Sequence, residues 1–356
     1  MRNSRFRMFI VEKIILWFFF LLLIIKKKNK IKIGVICLNH GNNIGNSLIK
    51  YAMSIKLSKL GYIPYMIGTN NRHRNISFLK KNTNCVIIRK NFTEIKENDY
   101  NVLMVNSDQT WRRFDKHFYD IGFLKFAEKW NIKKFAYGAS LGYNYWNFSK
   151  KDETIAKNLL KNFSGISVRE KGSIKLIKNH LGIEPTLVVD PTLLIDKKYY
   201  LKIIRYFNII NDKKIIKNKY IFTYIFRKER NTRKFVEYAS KKLGYKIFNV
   251  KLGEKDSIEK FIYGIANCKA VITNSFHGTI FSIIFNKPFI SFIIKDSPKE
   301  RFISLKETFN ITNRIFEYNQ TPNISLLETP LNINYKLINS LKIKSNKYLK
   351  KMLRKN

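Results

Sequence analysis

The sequence has few of the residues that mark secreted or metal-binding proteins. Its three cysteines, Cys37, Cys85 and Cys268, lie in or beside apolar runs and form no CxxC pair. We therefore expect free, buried thiols in a reducing compartment instead of disulfides or a zinc site. The five histidines do not pair at the spacings of metal ligands either, so the sequence predicts no metal centre.

Acidic residues are also scarce. The chain has 25 Asp and Glu against 68 Lys and Arg, a formal net charge of +43 over 356 residues. Such a field attracts anions, which include nucleic acids, anionic lipids and phosphorylated metabolites. The basic residues are spread over the whole chain, and no zinc-finger, RNA-recognition or basic-zipper spacing occurs. We therefore do not expect a nucleic acid as the main partner.

No apolar run reaches the roughly 20 residues that a membrane-spanning helix needs. The run Ile14–Ile25 follows three arginines and precedes Lys26–Lys28, and no small-residue cleavage site of a signal peptide comes after it. Three placements stay open: in the membrane interface, across the membrane as a short anchor, or outside the folded domain. Because the flanking lysines suit anionic headgroups, we expect residues 1–30 to associate a cytoplasmic domain with the inner face of the cell membrane.

The rest of the composition is globular, with 45% apolar, 14% aromatic and 26% charged residues. Apolar strands alternate with helical stretches, which predicts an α/β fold with two doubly wound, Rossmann-like domains that face a cleft. We place the domains at 31–195 and 220–330, with a lysine-rich linker at 196–219 and a basic helical tail at 331–356. In such sheets ligands bind at the carboxyl ends of the strands.

The strongest candidate site follows the predicted strand Ala270–Thr273. There a small polar turn opens a helix at Gly278 or Thr279, and the free N–H groups and dipole of a helix start favour an anion. Asn274 or Ser275 can cap this helix, and His277 would stand beside the anion to donate to a phosphate or transfer a proton. The alternative is that Ser275 only caps and His277 only packs.

A glycine-containing loop follows the first predicted strand. Gly41 and Gly45 allow a tight turn and close approach of a ligand to the backbone, with the amides of Asn42 and Asn46 beside them. The spacing is neither a Walker loop nor G-x-G-x-x-G. A turn in which Asn46 or Ser47 caps the next helix explains the loop equally well.

A carboxylate, an amide and an indole follow the strand Asn101–Val105. Asp108 could accept a proton from a sugar hydroxyl, with Gln109 next to it, and Trp111 could stack on a sugar ring. The alternative is a helix cap followed by a packed tryptophan.

Two more strand ends carry charge. Arg169 can bind a phosphate or a carboxylate with two hydrogen bonds, and Glu170 could orient it, although a surface ion pair is the commoner role of such a pair. Asp190 precedes Pro191 in a turn and either caps it or binds a hydroxyl. We favour the structural role for Asp190.

Taken in order, these motifs resemble the polysaccharide pyruvyl transferase family. The family's usual G-N-x-G-N loop, which precedes a Y-A helix, is matched by Gly41–Asn46 and Tyr51-Ala52. Its G-S-D-Q-x-W motif is matched by Asn106–Trp111, its S-V-R-E motif by Ser167–Glu170, and its D-P-T-L-L motif by Asp190–Leu194. Its S-F-H-G motif, which is followed by K-P-F, is matched by Ser275–Gly278 and Lys287–Phe289. Asn106 replaces the family's glycine. Arg301 falls where the family often carries another arginine. The resemblance runs from about Ile31 to Phe316.

The resemblance implies a two-domain fold similar to GT-B glycosyltransferases. It also implies transfer of the enolpyruvyl part of phosphoenolpyruvate to a sugar of a cell-surface polysaccharide or its lipid-linked precursor, with no cofactor. The family's phosphate-binding histidine and arginine carry over to His277 and Arg169, and Asp108 is the candidate base, although His277 could supply the proton instead. The predicted catalytic residues are His277 and Asp108, and the predicted substrate-binding residues are Asn42, Asn46, Gln109, Trp111, Arg169, Glu170, Asp190, Ser275, Phe276, Gly278, Thr279 and Arg301.

Two other functions stay open on the sequence. A GT-B glycosyltransferase would use the same helix start for the diphosphate of a nucleotide sugar, and Glu254 or Asp256 could bind its ribose. A non-catalytic membrane or nucleic-acid binder would show salt-sensitive binding and no dependence on His277.

Overall fold

The computed structural model describes residues 30–38, 41–69, 75–113, 117–205, 207, 219–226, 230–254 and 257–354. The apolar run Ile14–Ile25 and the rest of the predicted membrane-associating segment up to residue 29 lie outside these ranges. Residues 206 and 208–218 of the predicted linker also lie outside them. Within the described ranges, no helix combines the length and the apolar character needed to cross a membrane.

The first domain is built on a parallel sheet of seven strands. Their order in the sheet is β3-β2-β1-β4-β5-β6-β7. The strands are β1 (Lys32–Ile36), β2 (Ile63–Thr69), β3 (Asn84–Ile88), β4 (Val102–Val105), β5 (Lys133–Ala139), β6 (Gly165–Val168) and β7 (Thr186–Leu187). Chain order reverses between β1 and β4, so the carboxyl ends of these two strands open a crevice where a doubly wound sheet binds ligands.

The second domain has a five-stranded parallel sheet in the order β12-β11-β10-β8-β9. Its strands are β8 (Tyr220–Tyr224), β9 (Lys246–Asn249), β10 (Ala270–Thr273), β11 (Phe289–Ile293) and β12 (Ile315–Glu317). Strands β8, β10 and β11 are buried along their whole length, as expected for parallel strands covered on both faces. The predicted α/β class with two doubly wound sheets is confirmed.

Helices cover both sheets. They are α1 (Ile44–Lys59), α2 (Ile76–Asn82), α3 (Phe118–Phe123), α4 (Lys150–Leu160), α5 (Lys171–Leu181), α6 (Lys197–Ile203), α7 (Arg230–Leu243), α8 (Ser257–Asn267), α9 (Phe276–Ile284), α10 (Glu300–Phe309) and α11 (Tyr335–Leu353). Helix α1 of the first domain packs against α8 and α9 of the second. One apolar cluster therefore runs from Leu48 through Phe261 and Ile280 and joins the two domains.

Two helices begin earlier than predicted. Helix α1 starts at Ile44 because the side chain of Asn43 accepts a hydrogen bond from the Asn46 N–H at 3.2 Å, so the N-cap is neither Asn46 nor Ser47. Helix α9 starts at Phe276, capped by Ser275, whose hydroxyl oxygen accepts from the Gly278 N–H at 3.3 Å. His277 consequently lies inside the first turn of α9, and not in the loop before it.

The C-terminal segment is helical as predicted, but it is not a separate tail. Helix α11 packs against the first domain, where the Tyr348 hydroxyl donates to the Ala136 carbonyl at 2.8 Å and the Ser345 hydroxyl oxygen accepts from the Val189 N–H at 2.9 Å. Leu349 is completely buried. Helix α6, which lies within the predicted linker, also contributes to the core, since Tyr200 is completely buried.

Candidate functional site

Charged side chains from both domains meet in the cleft. Asp108 follows β4, Arg169 and Glu170 follow β6, Asp190 follows β7, and His277 lies at the start of α9 after β10. All five are less than 10% exposed. The strands of each parallel sheet end at one edge, so Asp108, Arg169, Glu170 and Asp190 lie together at the edge of the first sheet, and His277 reaches them from the second.

Arg169 is the centre of this cluster. Its Nε donates to Glu170 Oε1 at 2.8 Å, its Nη1 to Asp190 Oδ2 at 2.9 Å, and its Nη2 to Asp108 Oδ1 at 3.3 Å. Burial alone would lower the pKa of the guanidinium, but the three carboxylates raise it above its ordinary value. Arg169 therefore stays charged and fixes three carboxylates relative to one another.

The carboxylates differ in their electrostatics. Burial would raise the pKa of Asp190, but the nearby His277 imidazole and Arg169 guanidinium lower it to about 2. The pKa of Glu170 is raised, mainly by burial, despite its contact with Arg169. Asp190 is consequently a fixed negative charge at neutral pH, and it also accepts hydrogen bonds from the backbone and hydroxyl of Thr192.

Asp108 has an unusual backbone conformation. Its φ of 116° lies in a region that non-glycine residues rarely adopt, and such strain costs about 1–3 kcal/mol. The conformation is held by Asn46, whose Nδ2 donates to Asp108 Oδ2 at 3.0 Å, and by Arg169. Strain of this kind occurs most often where function requires it.

His277 reaches into the cleft beside Asp190. Its Nε2 lies 3.7 Å from Asp190 Oδ2, which is too long for a hydrogen bond. This Nε2 is buried and has no hydrogen-bond partner among the described residues. On the other side of the ring, a Cβ built on Gly45 would lie 1.9 Å from His277 Nδ1, so the absence of a side chain at Gly45 makes room for the imidazole.

Arg301 reaches the same region from α10. Its guanidinium carbon lies 5.5 Å from the ring centre of Phe276, whose ring also neighbours Arg169 at 4.9 Å and His277 at 5.2 Å. Its Nε is buried without a hydrogen-bond partner in the described part of the chain. Burial, and next the charge of Arg169, lower the pKa of Arg301 to about 10.

Ser275 and Gly278 of the predicted S-F-H-G motif, and Thr279 directly after it, make contacts within the protein at the start of α9. The Thr279 hydroxyl donates to the Ser275 carbonyl at 3.1 Å and also bonds to Ser291. A Cβ on Gly278 would lie 2.4 Å from Thr273 Oγ1, so only glycine fits where α9 meets β10.

Trp111 is not brought to the site, and its predicted stacking on a sugar is wrong for this conformation. The side chain is completely buried, its Nε1 donates to the Gly122 carbonyl at 2.7 Å, and its ring stacks on Phe123 at 5.4 Å. An indole enclosed in this way has no free face for a ligand. Gln109 stays near the cluster, and its Nε2 is buried without a partner among the described residues.

Asn42 lies at the boundary between the domains. Its carbonyl accepts from Asn75 Nδ2 at 3.1 Å, and a Cβ on Gly253 would lie 2.8 Å from its Nδ2. Of the predicted ribose-binding residues, Glu254 accepts from the Lys251 N–H at 3.3 Å and pairs with Lys260 at 3.8 Å. Asp256 lies outside the described residues.

Sequence reasoning missed the residues that fix the cleft. The Glu300 carboxylate accepts from the Gly172 N–H, and the Ser304 hydroxyl oxygen from the Lys171 N–H, both at 3.1 Å. These bonds tie α10 of the second domain to the start of α5 in the first. Lys50 was also missed: it lies one turn after Asn46 on α1, and burial lowers its pKa.

Within the described residues, no group of three His, Cys, Asp or Glu side chains is placed to hold a metal ion. The cleft contains guanidinium groups, carboxylates and an imidazole. These groups can bind an anion, and they can also accept or donate protons.

A sequence profile of the polysaccharide pyruvyl transferase family matches residues 43–296. This chain belongs to that family. The match includes the G-N-x-G-N loop from Asn43 onward and the strand-end motifs up to His277, and membership of the family shows that the chain is a transferase. Comparison with curated proteins finds none that matches its sequence.

Solved structures show what this chain resembles in fold. A protein assigned as a UDP-N-acetylglucosamine 2-epimerase from Listeria monocytogenes has a TM-score of 0.55 at 12% identity, over 92% of this chain and 98% of its own. The UDP-GlcNAc 2-epimerase of Neisseria meningitidis scores 0.51 at 11% identity, over 91% and 100%. A glycosyltransferase from Rickettsia africae scores 0.51 at 14% identity, over 91% and 93%. The predicted GT-B-like fold is confirmed.

Proposed function

We propose that this chain transfers the enolpyruvyl group of phosphoenolpyruvate to a sugar of a cell-surface polysaccharide or its lipid-linked precursor and forms a cyclic pyruvate ketal. The observation that carries the proposal is the buried Nε2 of His277 in the first turn of α9, which has no hydrogen-bond partner among the described residues and lies 3.7 Å from Asp190 Oδ2. A helix start favours an anion, and an imidazole nitrogen held there can bind a phosphate oxygen or move a proton to it. Family membership supplies the reaction class.

The proposed reaction balances without an oxidant, a reductant or a further cofactor. Two sugar hydroxyls add to the central carbon of the enolpyruvyl group, and the bond between that carbon and the phosphate oxygen breaks. Of the two hydroxyl protons, one ends on the methylene carbon, which becomes a methyl group, and the other leaves with phosphate. The protein must therefore supply a base for the hydroxyls, an acid for the methylene carbon and cations for the anionic donor.

The cluster suggests how these tasks are divided. The first turn of α9 and His277 bind the phosphate end of the donor. Asp108 accepts the proton of the attacking hydroxyl, since its carboxylate is held in place by Asn46 and Arg169. Three of the five N–H donors of Arg169 already bind carboxylates, which leaves two for a substrate oxygen. Arg169 accordingly positions Asp108 and Asp190 as well as attracting the donor.

We also propose that the chain binds its acceptor at the inner face of the cell membrane. Residue 30 enters the fold beside the end of α1, where the Ile63 N–H donates to the Ile31 carbonyl. Near the same end, Lys59, Lys198 and Lys202 surround the ring of Tyr199 at 5.0, 5.7 and 5.4 Å. A basic surface near residue 30, which follows the apolar N-terminal run in the sequence, suits anionic headgroups.

The membrane proposal is tested by co-sedimentation with vesicles. Full-length protein should pellet with vesicles that contain phosphatidylglycerol and much less with pure phosphatidylcholine vesicles, and deletion of residues 1–29 should weaken the binding. Equal pelleting of the full-length and shortened proteins would refute a role of the N-terminal segment.

The catalytic proposal is tested with two histidine variants. His277→Ala should lower acceptor-dependent phosphate release from phosphoenolpyruvate at least about 100-fold, which is the usual contribution of acid–base catalysis. His180→Ala is the matched control, because His180 stacks on Trp146 and pairs with Glu153 away from the cleft. An unchanged rate in His277→Ala would remove His277 from the mechanism.

A further inference from the structure

The two arginines of the cleft differ in what surrounds them. Arg169 makes ion pairs with three carboxylates. Arg301, among the described residues, makes none, and its Nε is buried without a hydrogen-bond partner. Both guanidinium groups lie against the ring of Phe276. The cleft thus holds one guanidinium that is neutralised by the protein and one that is not.

Arg301 is half-buried, and burying its Nε without a hydrogen-bond partner is costly. Lowering of the Arg301 pKa to about 10, by burial and then by the charge of Arg169, reflects that cost. An anion bound next to Arg301 would remove it. Since a guanidinium presents its N–H groups as a planar fork, its best partners are carboxylates and phosphates.

The surroundings of Arg301 favour a small anion with an apolar part. Phe276, Leu305 and Phe309 line the pocket beside it, together with Ser304 and Thr308. Glu170 and Asp190 also line this pocket, and both carboxylates are paired with Arg169. A ligand held here would place its charge on Arg301 and its hydrocarbon part against these rings. A planar carboxylate joined to a methylene-bearing carbon has this combination of groups.

Two hydrogen bonds between α10 and the start of α5 fix the position of Arg301. The neighbouring Glu300 accepts from the Gly172 N–H, and Ser304, one turn further along α10, accepts from the Lys171 N–H. Lys171 and Gly172 directly follow Arg169 and Glu170 in the chain. The second domain therefore presents Arg301 at a fixed place relative to Arg169, although the two belong to different domains.

Resting on the proposed function, we propose that Arg301 binds the carboxylate of phosphoenolpyruvate, while the first turn of α9 and His277 bind its phosphate. Arg301 then selects an enol phosphate that carries a carboxylate over one that does not. It also sets which way the donor lies in the cleft, with the central carbon between the two charged ends.

The test compares phosphoenolpyruvate with vinyl phosphate, which has the same enol phosphate but no carboxylate. Wild-type kcat/KM should favour phosphoenolpyruvate by about 10- to 100-fold, the range for a charge-assisted hydrogen-bonded pair. Arg301→Met should lose this preference by becoming slower with phosphoenolpyruvate alone, and Arg301→Lys should retain part of it. Lys306→Met is the control, because it removes a positive charge from the same helix outside the pocket.

Equal losses with both compounds in Arg301→Met, or no loss with either, would overturn the proposal. If the wild-type protein turns over neither compound, the proposed transfer fails as a separate result, and calorimetric titration of the two compounds still tests the subsite. Tighter binding of phosphoenolpyruvate that disappears in Arg301→Met supports it, and equal binding of both compounds by the wild type overturns it. Circular dichroism of each variant confirms that it is folded.

Discussion

Replacing Gly45 by alanine sets two physical effects against each other. Gly45 lies in the first turn of α1, and in a helix alanine is more stable than glycine by about 0.5–1 kcal/mol. The structure predicts the opposite, because the new Cβ would lie 1.9 Å from His277 Nδ1 and 2.3 Å from its Cγ. Relieving an overlap of that size in a packed interior costs about 1–3 kcal/mol.

A double-mutant cycle separates these effects. In a His277→Ala background the clash is gone, so Gly45→Ala should raise Tm by about 1–4 °C through helix propensity alone. In the wild-type background it should fail to raise Tm, and the coupling energy between the two sites should be about 1–3 kcal/mol.

Activity gives a second readout of the same contact. Displacement of the His277 ring by about 1 Å is enough to lower turnover on the order of 100-fold. Scanning calorimetry of the four proteins and phosphate release by Gly45→Ala are the measurements. The reasoning is refuted if Gly45→Ala raises Tm equally in both backgrounds, because His277 would then not lie against Gly45.

Three further predictions concern stability. Because the folded-state pKa of Asp190 is depressed to about 2, its carboxylate stabilises the fold by about 2 kcal/mol above pH 4, and about half of this is lost by pH 3. Urea titrations should therefore show that the difference in free energy of unfolding between wild type and Asp190→Asn becomes smaller as the pH falls from 4 to 3. A difference that stays constant over this range contradicts the prediction. Trp111→Phe should lower the free energy of unfolding by about 1–3 kcal/mol, since the Gly122 carbonyl loses its donor. It should not change KM for the acceptor, and a raised KM would mean that Trp111 contacts the acceptor. Leu349→Ala should lower the free energy of unfolding by about 2–5 kcal/mol and reduce Tm. If α11 did not pack on the first domain, this substitution would leave Tm unchanged.

The two sheets could be predicted because parallel strands buried on both faces are continuous apolar runs, such as Ala270–Thr273 and Phe289–Ile293. Helix α11 was harder to place. Its high lysine content indicates an exposed tail, whereas its buried residues Ser345, Tyr348, Leu349 and Met352 recur every three or four positions and form one face. The face shows that the helix packs, but which domain it packs on depends on contacts far away in the chain.

The position of the candidate site was predictable from strand ends, but its internal geometry was not. Strand order places Asp108 and Arg169 at the carboxyl edge of the first sheet and His277 at that of the second. Nothing in the local pattern shows that Arg169 also binds Asp108 and Asp190 while Arg301 forms no ion pair among the described residues, because the pairings of Arg169 with the two aspartates join residues that follow different strands. The direction of the Trp111 ring was equally unpredictable, since an indole after a strand can face either the cleft or the core.

The most direct test of the central claim is phosphate release from phosphoenolpyruvate by the purified chain, with and without a pool of membrane glycolipid acceptors. The account predicts release that depends on the acceptor and a product that carries a pyruvate ketal. Absence of release, together with turnover of a nucleotide sugar on the same acceptors, would contradict it and make the chain a glycosyltransferase.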